Sequence, residues 1–143
     1  VSISVVRPHY RNTIYPTQDL ENIEAEITLG IDGEKLGNTT LDVKLISKTD
    51  ESVIAEKSID NPDKTNSVEL PCKDIVQGDY TLMARLEYPD TKSDVSQVDI
   101  HVLPDSNLPE WRLDRNNVLL CNGEKVLPLG FYAIRDYHYP KAV

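Results

Sequence analysis

Alternation of aliphatic and polar side chains with a period of two residues runs through most of the first hundred positions, and it restricts the chain to strands that bury one face. Ile23, Ala25, Ile27 and Leu29 are separated by Glu24, Glu26 and Thr28, so one face is apolar and the other wet. Leu41, Val43 and Leu45 alternate with Asp42, Lys44 and Ile46, and Tyr80, Leu82, Ala84 and Leu86 with Thr81, Met83, Arg85 and Glu87. Val98, Ile100 and Val102 supply a further inner face opposite Gln97, Asp99 and His101. Ile3 and Val5 begin a strand near the start, and 53–57 and 67–70 are shorter candidates.

Residues with turn chemistry separate these runs: Asp32-Gly33, Gly37-Asn38, Thr49-Asp50, Asn61-Pro62-Asp63, Gly78-Asp79 and Pro89-Asp90. Seven short strands result over residues 1–103. Two half-polar sheets bury themselves by facing each other, so the expected fold is all-β: an immunoglobulin-like or fibronectin-III-like antiparallel sandwich, with a β-barrel as the alternative. Tyr80, which follows the turn Gln77-Gly78-Asp79 at the head of a strand, resembles the tyrosine corner of immunoglobulin-like folds. That resemblance implies a ring packed in the core and a hydroxyl bonded to backbone a few residues upstream. Antibody domains carry a core tryptophan and an inter-sheet disulfide; here no tryptophan precedes Trp111, and Cys72 and Cys121 do not sit on the strands such a bridge would join. Both cysteines read as free, small apolar residues.

Charge and hydropathy remove several classes of function. Fifteen basic against twenty-four acidic residues give a net charge of −9, which opposes binding to nucleic acid and anionic membranes. No uninterrupted apolar run is longer than the four residues of Val118 to Cys121, far short of the roughly 20 residues that cross a bilayer. The chain opens on Val1 with no basic or apolar leader, so a targeting peptide is expected to have been removed or to lie outside this sequence.

The character of the sequence changes after residue 103. Pro104-Asp105-Ser106-Asn107-Leu108-Pro109-Glu110 contains two prolines and no alternation, so 104–117 reads as an extended linker. Five of the nine aromatic residues then fall from Trp111 onward: Trp111, Phe131, Tyr132, Tyr137 and Tyr139. Val118 to Cys121, Asn122-Gly123 and Val126 to Phe131 read as strand, type I′ turn and returning strand, which places a hairpin in 118–143. The run Asn122-Gly123-Glu124-Lys125-Val126-Leu127-Pro128-Leu129-Gly130-Phe131-Tyr132 resembles the start of the catalytic (β/α)₈ barrel in multi-domain glycoside hydrolases, where a β-sandwich precedes the barrel. The resemblance covers about 15 residues and rests on a few of them. It implies that 118–143 opens a following domain, truncated here, and that the two catalytic carboxylates stand on later strands. On its own the chain is then expected to show no hydrolytic activity. A plainer reading makes 118–143 a hairpin packed on the sandwich edge.

Within the chain no residue is assigned a catalytic, ligand-binding or metal role, and no cofactor is expected. Glu24 and Glu26 stand roughly 6.5 Å apart by strand rise, a spacing suited to acid and base, yet both fall on a solvated face. His9, His101 and His138 lack metal-site spacing, and the acidic turns Asp60-Asn61-Pro62-Asp63 and Asp32-Gly33-Glu34 lack the alternating ligands of a calcium loop. Tyr10, Tyr15 and Trp111 would form a sugar-stacking platform if exposed together, against plainer roles in the core, at an edge or in a domain interface. Asn38-Thr39-Thr40 is a glycosylation sequon that matters in a eukaryotic host. The expectation is therefore a non-catalytic accessory domain of a secreted, periplasmic or cell-surface glycoside-hydrolase-like protein. Its expected partner is the C-terminal catalytic domain of the same chain, with polysaccharide as a further partner. A carbohydrate-binding module and an adhesion module are the alternatives.

Overall fold

The computed structural model describes residues 1–31, 37–73, 75–89 and 92–127. Among them every regular element is a strand. Strands β1 (Ser2–Arg7), β3 (Asn22–Thr28) and β6 (Thr65–Pro71) form one antiparallel sheet in the order β1-β3-β6. A second sheet runs β2-β8-β7-β4-β5, from β2 (Thr13–Ile14), β8 (Ser93–Val102), β7 (Gly78–Glu87), β4 (Thr40–Ser47) and β5 (Val53–Asp60). Neither sheet closes on itself, so the architecture is the expected immunoglobulin-like sandwich and not the alternative barrel.

Alternation sets the faces as elementary packing requires. Ile23, Ile27, Val68 and Leu70 from the first sheet, and Leu41, Leu45, Leu82, Leu86 and Ile100 from the second, lose essentially all contact with solvent. Each such side chain stabilises the fold by about 1.5–3 kcal/mol relative to an exposed one. The outer face of the larger sheet carries charge instead, with Lys44 paired to Glu56 at 3.1 Å and Lys48 to Asp99 at 2.7 Å.

The tyrosine corner is present. Tyr80 is 3% exposed and its hydroxyl donates to the Val76 carbonyl at 2.8 Å, tying the β6–β7 connection to the head of β7. Burial pushes the Tyr80 phenol above its ordinary pKa, with the Val76 hydrogen bond acting in the opposite direction.

Two features escape the alternation. The chain changes sheets after β1, across the cis Arg7–Pro8 bond, and β2 then pairs parallel to β8 through Thr13↔His101 and Ile14↔Val102. Secondly, residues 104–117, expected to be extended linker, include strand β9 (Trp111–Leu113). With β10 (Leu119–Cys121) and β11 (Glu124–Lys125) it makes a three-stranded antiparallel sheet in the order β11-β10-β9. The Asn122-Gly123 turn forms as expected: φ is +50° at Asn122 and +82° at Gly123, the left-handed values a type I′ turn demands. The rest of the expected hairpin, from Pro128 through Gly130, Phe131 and Tyr132 to Val143, lies outside the described residues.

Candidate functional site

Glu110 binds the small sheet to the sandwich. Its carboxylate accepts from the Thr17 amide at 3.1 Å, the Thr17 hydroxyl at 2.6 Å and Arg112 Nε at 2.9 Å. Its own backbone exchanges hydrogen bonds with Asn122, N–H to Oδ1 at 2.8 Å and carbonyl from the Asn122 amide at 2.9 Å. Both partners of the ion pair are withdrawn from water, with 9% of the Glu110 side chain and 10% of the Arg112 side chain exposed. Burial alone would raise the Glu110 pKa, but the donors on Thr17 and Arg112 prevail and the carboxyl titrates below its ordinary value. A second tie runs from His9 Nε2–H to the Leu113 carbonyl at 2.9 Å.

This arrangement decides where Trp111 points. Along β9 successive side chains take opposite faces, and the register that buries Arg112 turns Trp111 outward, where it is 50% exposed. Beside it lies a hollow of about 450 Å³, lined by Tyr15, Leu103, Asp105, Asn107, Leu108 and Trp111 among others. Pro104 and Pro109 explain why a hollow forms: neither has an N–H for a ladder, so the chain leaves β8 and loops before it pairs again at Trp111. Tyr15 connects the hollow to a shallower depression of about 580 Å³ that reaches Ile75 and Val76. The Tyr15 phenol is pushed above its usual pKa by burial first and then by the neighbouring Tyr10.

The three aromatics singled out from sequence thus gather at one end of the sandwich. Tyr10 and Tyr15 meet with ring centroids 6.2 Å apart, Arg11 lies 5.3 Å over the Tyr10 ring, and Tyr15 and Trp111 line the same hollow. Glu24 and Glu26 remain on the outer face of β3, where Glu24 pairs with Arg7 at 3.4 Å. His101 pairs with Asp79 at 2.7 Å, and His138 lies outside the described residues. In the 60–63 turn, Asp60 accepts from Thr40 and Asn61 Oδ1 from the Asn38 amide, while Asp32-Gly33-Glu34 lies outside the described residues. Asn38, the sequon asparagine, is exposed in a turn. Cys72 and Cys121 are free thiols; Cys72 is buried, which raises its pKa, and its Sγ–H donates to the Leu20 carbonyl at 3.4 Å.

The one nearly buried carboxylate at the hollow, that of Glu110, is not poised as a proton donor. Glu110 is committed to three donors and stays ionised, so it has no proton to give near neutrality. Among the described residues no three His, Cys, Asp or Glu side chains gather as a metal site. Sequence reasoning missed Glu110, Arg112 and Thr17; the short polar alternation of Glu110 and Arg112 across Trp111 is the one signal from which a strand there could have been read.

No family model matches the chain, and no curated protein matches its sequence. Among solved structures it is similar to the soluble domain of PmoD from Methylocystis sp. ATCC 49242 (Rockwell), at 14% identity and a TM-score of 0.49, over 71% of this chain and 89% of that one. It is also similar to a beta-glucuronidase from Parabacteroides merdae, at 9% identity and a TM-score of 0.46, over 76% of this chain and 14% of the glucuronidase. Likenesses at this level say nothing about chemistry, and the assignment as a β-sandwich rests on the strand order itself.

Proposed function

We propose that this chain is a non-catalytic accessory β-sandwich of a larger, secreted or envelope-associated glycoside-hydrolase-like protein, in which it holds a following catalytic barrel in a fixed orientation. The observation that carries this reading is the Glu110 clasp. An untethered linker between residues 103 and 118 would let a following domain tumble freely. Instead the chain leaving the sandwich is built into a small sheet, and the Glu110 carboxylate, held in place by Arg112 on the same segment, accepts the two Thr17 hydrogen bonds that fasten that sheet to the β2–β3 connection. The segment resembling the start of a barrel begins within that sheet, with the Asn122-Gly123 turn and β11. A support element would be expected to have this construction, since orientation is transmitted through short, satisfied connections.

The intact polypeptide tests the reading. Its chain beyond Val143 is expected to continue with alternating strands and helices of barrel length, roughly 200 residues or more, and to cleave an aryl glycoside. Glu110→Ala in that protein is expected to lower the temperature at which glycosidase activity is lost. A continuation made of further sandwich domains, with no glycosidase activity, would defeat it and favour an adhesion role.

A further inference from the structure

We propose that the hollow beside Trp111 is a binding site for a neutral saccharide. This goes beyond the supporting role and rests on different observations. Single exposed apolar side chains are ordinary on protein surfaces, but Leu103, Leu108 and Trp111 are all exposed on one concave surface, which the half-buried Tyr15 also lines. The indole faces out because of strand register, with Arg112 fixing the alternation, so its exposure is built into the fold.

The polar groups of the hollow divide into two sets. Glu110, Asn122 and Ser106 already accept hydrogen bonds, from Thr17 and Arg112, from Glu110 N–H, and from Leu108 N–H. The Asp105 carboxylate, the Asn107 amide and the Trp111 indole N–H have no partner among the described residues. A flat apolar ring beside an unused carboxylate, an unused amide and an unused N–H matches one ligand chemistry closely. A pyranose presents a C–H face that stacks on an indole and an equatorial rim of hydroxyls, each able both to donate and to accept. A purely apolar ligand would desolvate Asp105 and Asn107 without replacing their water.

Charge restricts the saccharide further. Among the described residues no Lys or Arg lines the hollow, the Asp105 carboxylate does, with Glu110 offset by Arg112, and the chain carries −9 overall. Uronic, sulfated and phosphorylated sugars are therefore opposed. A volume of about 450 Å³ lies within the range of small-molecule sites, enough for a short stretch of a glycan chain.

Trp111 is the single tryptophan, so its emission reports the site directly. The test titrates the protein with cellohexaose, xylohexaose, mannohexaose and chitohexaose as neutral probes, and with polygalacturonate as the anionic one. At least one neutral probe is expected to shift the indole emission saturably and to shield it from acrylamide. Asn107→Ala is expected to weaken that binding about tenfold, while Trp111→Ala, followed by calorimetry and checked for folding by circular dichroism, abolishes it. No response to any neutral probe, or an equal response to polygalacturonate, overturns the proposal. So does an indole already shielded from acrylamide in the intact protein without sugar, which would make the hollow the seat of the following domain. Loss of sugar binding leaves the supporting role standing, because that role is read from the glycosidase activity and chain length of the intact protein.

Discussion

The Thr17 hydroxyl donates to Glu110 Oε1 at 2.6 Å across 93 residues of sequence. Because the same carboxylate takes the Thr17 amide and Arg112, one side chain fastens the C-terminal sheet to the sandwich. Glu110→Gln keeps the shape and one acceptor but removes the charge facing Arg112, and is expected to destabilise that sheet by about 1–3 kcal/mol. Glu110→Ala leaves Arg112 nearly buried without a counter-charge, a loss of about 3–5 kcal/mol. Urea titration followed at Trp111 emission reads the sheet, and far-ultraviolet circular dichroism reads the sandwich. The first transition is expected to move to lower urea, with the second moving less. Coincident movement of both would mean that the small sheet is an integral part of the sandwich.

Acid should loosen the same contact. Burial opposes ionisation of Glu110, yet hydrogen bonds from Thr17 and Arg112 outweigh it and hold the pKa below the ordinary carboxylate value. A carboxyl whose folded pKa is depressed contributes stability that is complete above its unfolded pKa and is lost as pH falls through the folded one. The Trp111-reported midpoint is therefore expected to drop as the pH is lowered through the carboxylate range and below it. Asp50, Asp99 and Asp114 also titrate low, so the informative quantity is the difference between the native chain and Glu110→Gln. That difference should shrink toward zero in acid. A difference independent of pH would show that the Glu110 charge contributes nothing to holding the sheet.

What the sequence disclosed and what it withheld separate along a physical line. Strands such as β3, β4 and β7 were legible because a sheet with one wet face imposes alternation on every residue, as the buried Ile23, Leu41 and Leu82 show. Strand β9 reverses the usual rule: arginine is buried and tryptophan exposed, since Glu110 compensates the charge that burial would otherwise penalise. A hydropathy pattern assigns such a segment to linker. The two-residue β2 is too short for any periodicity, and its parallel pairing to β8 depends on a partner some ninety positions away. That pairing brings Tyr15 to Leu103 and Trp111, so the hollow could not be read from residue order even though its aromatics could be named.

Tyr80 offers a cleaner measure of one hydrogen bond. Its ring is buried while Val76, whose carbonyl it binds, has a largely exposed side chain. Tyr80→Phe keeps the packing and leaves an acceptor that water can reach, so the expected cost is about 0.5–1.5 kcal/mol. Tyr80→Ala empties the ring site and is expected to cost about 3–5 kcal/mol. Chemical denaturation of the two variants separates hydrogen bond from packing; equal losses would mean that the phenylalanine ring does not occupy the tyrosine site.

Gly123 links local backbone chemistry to the clasp. It holds φ at +82° in the type I′ turn, where an L side chain costs roughly 1–2 kcal/mol, and a methyl group added there would come within 3.4 Å of Thr17 Oγ1. That oxygen is the one bonded to Glu110 and the added methyl meets it at ordinary van der Waals distance, so it is the backbone strain that bears on this joint. Gly123→Ala is expected to destabilise the small sheet by about 1–2 kcal/mol and to red-shift Trp111 emission, leaving the circular dichroism of the sandwich unchanged. Asn122→Gly relieves left-handed strain at the preceding position but removes the Oδ1 that accepts from Glu110 N–H. A loss of stability in Asn122→Gly would show that the hydrogen bond outweighs the strain; a gain would show that the turn, and not the tie to Glu110, limits the sheet.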